Sequence, residues 1–545
     1  MFIFVVIVFS IIAGLGLLSP GLPPTHDGEY HIIRFYEFNR VLMDGNLYPR
    51  WAPDLNFGFG VPLFNYVYPL PNFLASFIHL FNFSFIDAFK LNMFIATIVG
   101  GIFFYLWSRK FWGNLGGVVS SIFYTFSPYH FVDIYIRGSV GEVWALALFP
   151  AFLWSITIML REERKNYIIY SGIFLALIIF AHNILALMFF VFSFIYCLFI
   201  IFHLKKIKFS MLKTLSVILI GLGLSSIFWL PALLEKQYVT GLQLYNIKDN
   251  FADLYQLIFP SWGSGFSNGD LQNQMSLQVG VGNLLVVTVS IFLIPFFVKI
   301  KKTLLGVQLF FVVSFFFIFF LMTKESLFIW NSIPLMNYFQ FPWRFLSIEI
   351  LISSFIAGGL LSLFKSNFIK FSVASFMIVV IVLLGIGYAK PAYYHNRSDN
   401  YYILRSNFID GTNSPGDYFN TVWAENAKKR EKEKIKVLGG NAEFKLTYSG
   451  STYYNYKITA KEDSKFVANI TYFPGWEVFL DKKGIEKELN KNGLISFEMP
   501  KGEHLIEVKL GETRIQKIGK LSFLITLFFI VFALLRSKYC AKINK

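Results

Sequence analysis

Apolar stretches long enough, or nearly long enough, to cross a bilayer recur roughly twelve times along the chain. They are residues 2–18, 86–107, 115–126, 143–160, 167–181, 184–203, 214–230, 282–298, 303–322, 345–364, 371–388 and 521–535. A soluble chain of 545 residues would split into roughly three or four domains, each needing a polar surface. Only 15% of these residues are charged, against about 25% in an ordinary soluble protein. Mean hydropathy is +0.55, and Phe alone occurs 66 times. A soluble enzyme, a disordered chain and a fibrous chain are excluded. The expected fold is an α-helical polytopic membrane protein embedded in a lipid bilayer. The first stretch lacks a basic flank and a small-residue cleavage site, so it is expected to be a retained anchor.

The net charge of +16 has a location. Arg109, Lys110, Arg161, Arg164, Lys165, Lys205, Lys206, Lys208, Lys213, Lys299, Lys301, Lys302, Lys365 and Lys370 fall in alternate loops, and Arg536, Lys538, Lys542 and Lys545 follow the last stretch. Only Glu162 and Glu163 oppose them. Positive charge accumulates on the cytoplasmic side of membrane proteins. Both termini are therefore expected in the cytoplasm of a multi-pass plasma-membrane protein. The same distribution makes nucleic acid an unexpected partner. Cys197 and Cys540 have no metal or redox spacing.

Outer segments then fall at 19–85, 128–142, 231–280, 324–343 and 389–520. The last is the long polar one. Runs rich in Val, Ile, Tyr and Phe at 443–448, 453–460, 466–472, 476–480, 494–499 and 504–510 are punctuated by Gly-containing turns. That spacing predicts a small β-sandwich. Residues 424–436 are charged and are expected to form a linker or short helix. The expected organisation is a membrane domain at 1–388, an extracytoplasmic β-rich domain at 389–520, and a last helix with a basic tail at 521–545.

The sharpest polar cluster is His26-Asp27-Gly28-Glu29-Tyr30-His31 in the first outer segment. Asp27 and His31 are spaced to share one helical face, with Thr25 as cap and Glu29 in the first turn. Such carboxylates could take a proton from an acceptor hydroxyl or help to hold a divalent cation. A polar loop ahead of a capped helix is the plainer reading. Arg50 lies in a second motif, Tyr48-Pro49-Arg50-Trp51. The aromatic stretch 62–80, interrupted by Pro69 and Pro71, suits the membrane interface. Arg137 and Glu142 bracket Gly138-Ser139-Val140-Gly141 at the head of an apolar run. Ionisable groups at that depth are either paired or functional. They could pair with each other, or Glu142 could join Asp27 while Arg137 meets a phosphate. His182 and Asn183 interrupt two apolar runs, and either cap a turn or bind a polar ligand. Glu235 is similar. Arg344, in Phe341-Pro342-Trp343-Arg344, either snorkels or binds a phosphate. The sequence carries no P-loop, GxSxG or HExxH motif.

The run from His26 to His31, with Gly45-Asn46-Leu47-Tyr48-Pro49-Arg50-Trp51 and Gly58-Phe59-Gly60-Val61-Pro62, resembles a family of bacterial and archaeal membrane proteins. They are labelled "6-pyruvoyl-tetrahydropterin synthase-related". Arg137 with Glu142, His182-Asn183, Gln278-Val279-Gly280 and Phe341-Pro342-Trp343-Arg344 fit its pattern in order. Pterin synthases use three zinc-binding histidines, an arrangement not matched here, so pterin synthesis is not expected. The architecture is similar to the GT-C superfamily of membrane glycosyltransferases. That likeness implies an inverting transfer from a polyprenyl-phosphate-linked sugar to an envelope acceptor on the outer face. It makes Asp27 the expected base, with Glu29 or Glu142 assisting. His26, His31, Arg50, Arg137, His182, Asn183, Glu235 and Arg344 become candidate substrate ligands. The sequence departs from the paired acidic motif of that superfamily. A transporter or flippase, and a non-catalytic envelope-assembly protein, are the competing readings.

Overall fold

The computed structural model describes all residues except 205–206, 242–246, 268–272, 301, 405–418, 425–430, 432 and 544–545. At 204, 207–209, 300, 302–303 and 537–543 it describes the backbone alone. Lys205, Lys206, Lys301 and Lys545 of the basic segments lie outside the described residues, as do the side chains of Lys208, Lys302, Lys538, Lys542 and Cys540.

The protein is mostly helical. Among the described residues, nine helices are long and apolar enough to cross a membrane. Two more apolar helices, Phe2–Leu18 and Tyr167–Ala181, are shorter. The expected count of about twelve is thus not reached on length. One reason is that two expected stretches form a single 41-residue element, Phe85–Thr125. Its backbone breaks at Gly113, with φ 72° and ψ −176°, values that suit glycine. The chain doubles back there. Ser121 Oγ donates to the Gly101 carbonyl at 2.7 Å, and Phe104 stacks on Tyr124 with centroids 4.4 Å apart. The element is an antiparallel helical hairpin whose bend follows the Arg109-Lys110 pair.

The chain divides into two compact units, each assembled from separate segments. The first holds Met1–Gly28, Ile86–Leu222 and Leu244–Arg397. Its most enclosed helices are Val140–Arg161, 94% buried over its apolar window, and Pro342–Leu363, 89% buried. Backbone groups inside an apolar slab must be satisfied within the segment, and side-chain polar groups follow the same logic here. Asn283 Nδ2 donates to Ser353 Oγ at 2.8 Å and to Ser127 Oγ at 3.2 Å, tying three segments together.

The second unit holds Glu29–Phe85, Gly223–Gln243 and Ser398–Lys545. Among its described residues are nine strands: β1 (Ile435–Gly439), β2 (Ala442–Ser449), β3 (Tyr453–Ala460), β4 (Ser464–Thr471), β5 (Trp476–Leu480), β6 (Lys483–Gly484), β7 (Glu488–Leu489), β8 (Leu494–Met499) and β9 (Gly502–Leu510). They form two antiparallel sheets, ordered β1-β4-β8-β7 and β2-β3-β9-β5-β6. Alternation decides the buried face. In β3, Tyr454, Tyr456, Ile458 and Ala460 point inward. The charged segment expected as linker or helix is corrected at its end. Ile435 and Lys436 open β1, and Ile435 is buried opposite Ala468 of β4. Residues 425–430 and 432 of that segment lie outside the described residues. Trp476 is fully buried and meets Trp51 edge-on at 5.4 Å.

Candidate functional site

The site begins with the cap of one helix. Thr25 Oγ1 accepts the Gly28 N–H at 3.1 Å, and the helix runs Gly28–Met43 with Glu29 in its first turn. This satisfies one of the orphan donors at a helix start. It also corrects the expected pairing of Asp27 and His31 on one helical face. The cap starts the helix after Asp27, so Asp27 stands ahead of it, half-buried.

Two main-chain bonds then fix the neighbours of that turn. His26 N–H donates to the Ile136 carbonyl and Asp27 N–H to the Arg137 carbonyl, both at 2.9 Å. The accepting residues belong to Val132–Arg137, a six-residue π-helical turn. Gly138 ends that turn at φ +63°. A Cβ there would lie 2.3 Å from Thr25 Oγ1. Gly138→Ala is therefore expected to lose about 1–3 kcal/mol from the left-handed backbone alone, and more from the clash. Gly45, at φ +91° with nothing within 4 Å of its would-be Cβ, supplies the control. Thermal unfolding should show Gly138→Ala falling further than Gly45→Ala.

Arg137 carries the charge cluster. Its Nη1 donates to Glu142 Oε2 at 2.5 Å and its Nη2 to Glu142 Oε1 at 2.6 Å, a two-pronged fork. Nη1 also donates to Asp133 Oδ1 at 2.5 Å. Arg344 Nε lies 3.3 Å from Glu142 Oε1, and Arg344 Nη1 donates to the Phe339 carbonyl and to Gln340 Oε1. Trp343 lies under both cations, 5.0 Å from Arg137 and 6.0 Å from Arg344. Glu142 and Asp133 are 0% exposed, and the side chains of both arginines 8%. Arg344 therefore does not snorkel. His182 Nδ1 accepts the Leu185 N–H at 3.2 Å and so caps the helix Asn183–Leu204. That bond places the ring proton on Nε2, which faces Glu142 Oε1 at 3.7 Å. Asn183 is exposed at the first position of that helix.

The His26 ring is held from another segment. Its Nε2 donates to the Ser264 carbonyl at 2.8 Å, and the ring packs on Phe266 at 4.5 Å. Burial pulls its pKa below the ordinary 6.5, opposed by the Ser264 bond and Asp27 and reinforced by Arg137. The unfolded chain thus binds more protons than the folded one just below pH 6.5. The contribution of His26 to stability is present above that value and is lost as pH falls through it. Thermal unfolding across that range should show the loss in wild type, and a flatter profile in His26→Gln.

Six sequence candidates thus gather in the first unit: His26, Asp27, Arg137, Glu142, His182 and Arg344. Glu29, His31, Arg50 and Glu235 belong to the second unit. His31 is buried in its helix beside Phe35. Arg50 Nη1 donates to Asn65 Oδ1 at 2.9 Å, and Asn65 Nδ2 to Glu235 Oε2 at 2.9 Å. Thr513 and Gln516 also donate to Glu235. Arg50 and Glu235 therefore work together in one closed network. Among the described residues, no group of three or more His, Cys, Asp or Glu is placed to hold a metal ion. Glu142 has both oxygens engaged by Arg137 and does not fit a divalent cation beside Asp27.

Sequence reasoning missed Asp133 and Ser264. Asp133 had a signal, the i,i+4 spacing to Arg137. Ser264 had none, because it acts through its carbonyl. A family model described as "6-pyruvoyl-tetrahydropterin synthase related domain; membrane protein" matches residues 64–394, more than half of the chain. No curated protein matches the chain.

Proposed function

The chain belongs to the 6-pyruvoyl-tetrahydropterin synthase related family of membrane proteins, and from that premise we propose that it is a membrane glycosyltransferase of GT-C type. It moves a sugar from a polyprenyl-phosphate carrier to an envelope acceptor at the extracytoplasmic face, with both termini in the cytoplasm. The observation that carries this reading is the placement of Asp27. Asp27, half-buried, is tied by its main-chain N–H to the carbonyl of Arg137, the residue whose guanidinium joins Glu142 in the charge cluster that Arg344 also faces.

In the proposed reaction an acceptor oxygen bonds to the anomeric carbon and gives its proton to Asp27. The bond from that carbon to the phosphate oxygen breaks, and its electron pair leaves with the phosphate. Arg344 is the candidate for the developing phosphate charge. Its Nε lies near Glu142 but makes no hydrogen bond among the described residues. Arg137 and Glu142 act as positioning residues, since Glu142 engages Arg137 with both oxygens and Arg137 presents the carbonyl that holds Asp27. His26 precedes Asp27 in the chain and His182 Nε2 faces Glu142, and no role is needed for Glu29.

A lipid or glycan transporter is the second reading. It draws support from the near-complete enclosure of the Arg137–Glu142–Arg344 cluster, as expected for charges along a transport path. The deciding experiment reconstitutes the purified protein with a panel of polyprenyl-phosphate sugars carrying a labelled sugar. Release of the lipid phosphate together with loss of label from the lipid supports transfer. Donor binding and movement across the bilayer with the glycosidic bond intact supports the transporter.

A further inference from the structure

Within the second unit, the two sheets meet the segment that runs from the helix Gly28–Met43 through the loop after it. Contacts at four points mark this seam among the described residues. Ser451, between β2 and β3, donates its N–H to Asp44 Oδ2 at 2.7 Å. Thr471 of β4 donates its N–H to the Phe59 carbonyl at 2.9 Å. Trp476 of β5 meets Trp51 edge-on, both buried. Lys434, just ahead of β1, donates through Nζ to the Gly58 carbonyl.

A carboxyl group is shut inside the seam. Glu37, midway along the helix, is 1% exposed, and its Oε2 accepts the Asp54 N–H at 3.1 Å. The titratable groups that face it come from every wall. Arg40 lies on the same helix, Asp54 in the loop and Lys434 ahead of β1. Tyr454 of β3 faces it too, and burial keeps that hydroxyl neutral. Both cations already have partners. Arg40 donates to Asp54 Oδ2, while Lys434 holds the Gly58 carbonyl and lies 5.6 Å from the centre of the Tyr454 ring. The Arg40 and Asp54 side chains are 38% and 32% exposed, so that pair reaches water and Glu37 does not. Burial and the Asp54 charge push the Glu37 pKa up from 4.5 to about 8, against the Asp54 N–H, Arg40 and Lys434, which pull it down. Between those two values the closed seam keeps a proton that an exposed carboxyl gives up.

We propose that Glu37 is a proton-controlled latch between the β-sheets and the segment they rest on. With Glu37 neutral, Lys434 stays on the Gly58 carbonyl and the seam is shut. With Glu37 ionised, a desolvated carboxylate stands beside Asp54, and opening the seam gives it water. The stabilisation is fully present below pH 4.5 and is lost as pH rises to about 8. This runs opposite to the dependence set by His26, so the readout has to be local to the seam. The latch does not depend on the sugar-transfer reading.

The test is hydrogen–deuterium exchange on the full-length protein in lipid, from about pH 5 to about pH 9, corrected for intrinsic exchange and followed at residues 52–61 and 434–439. Wild-type protection there is expected to fall as pH rises, by up to about tenfold per pH unit, and to level off above the Glu37 pKa. Glu37→Gln keeps an acceptor for the Asp54 N–H and cannot ionise, so it should hold its protection throughout. Asp54→Asn removes the like charge and should move the levelling point to lower pH, which tests the latch whether or not Glu37→Gln folds. A flat wild-type profile would overturn the proposal. So would the same fall in Glu37→Gln, or a levelling point that stays or rises in Asp54→Asn.

Discussion

Glu142→Ala is expected to cost the helical unit about 3–5 kcal/mol, the usual penalty for removing one partner of a buried ion pair. Glu142 is 0% exposed and answers three cationic or polar neighbours: Arg137, Arg344 and the His182 Nε2–H. Without it, two guanidinium groups at 8% exposure would share one carboxylate, Asp133. The interior cannot supply the missing solvation. Thermal unfolding in detergent or lipid should show this variant as the least stable of the cluster. Arg137→Lys should come next, since an ammonium cannot reproduce the fork to Glu142. Asp133→Asn should be mildest, because Asp133 makes one contact with Arg137 through Oδ1. If instead Glu142→Gln abolishes activity with no loss of stability, Glu142 works on substrate rather than on the arginines.

How legible this was in the sequence depends on the kind of information each feature carries. The strands Tyr453–Ala460, Trp476–Leu480 and Leu494–Met499 have the bounds that alternation and Gly-containing turns dictate. β1 did not, because Lys434 and Lys436 flank its first buried residue and make the segment read as solvated. That the chain is a series of apolar helices was readable from hydropathy, though not their number, and hydropathy alone does not say that 86–107 and 115–126 join through Gly113. At the site, the pairing of Arg137 with Glu142 was open to a spacing argument. The approach of Arg344 and His182 was not, since they arrive from 207 and 45 residues away on the chain, counted from Arg137. The most informative contacts, His26 to Ile136, Asp27 to Arg137 and His26 to Ser264, all end on backbone carbonyls. A carbonyl is present at every residue, so no side-chain pattern marks it.

Asp27→Asn is expected to lower sugar transfer by about 10²–10⁴-fold, the range for loss of a general base, while leaving thermal unfolding near wild type. The separation follows from how Asp27 is held. Its main-chain N–H donates to the Arg137 carbonyl, a bond that asparagine keeps, and asparagine matches aspartate in shape and still hydrogen-bonds through both terminal side-chain atoms. The Thr25 cap on Gly28 and the His26 bond to Ser264 are also untouched. What changes is the capacity of the side chain to accept a proton from the attacking oxygen. The measurement is the initial rate of label transfer from whichever polyprenyl-phosphate sugar the wild type turns over, with the unfolding temperature taken on the same preparations. A rate within a few-fold of wild type would remove Asp27 from the chemistry and leave His26, whose Nε2 is committed to Ser264, as the next proton acceptor through Nδ1. A matching loss of rate and of unfolding temperature would instead make Asp27 a structural partner of the turn. Because Glu142→Ala is expected to lose stability first and Asp27→Asn to lose rate alone, the pair separates the framework of this cluster from the group that would react on it.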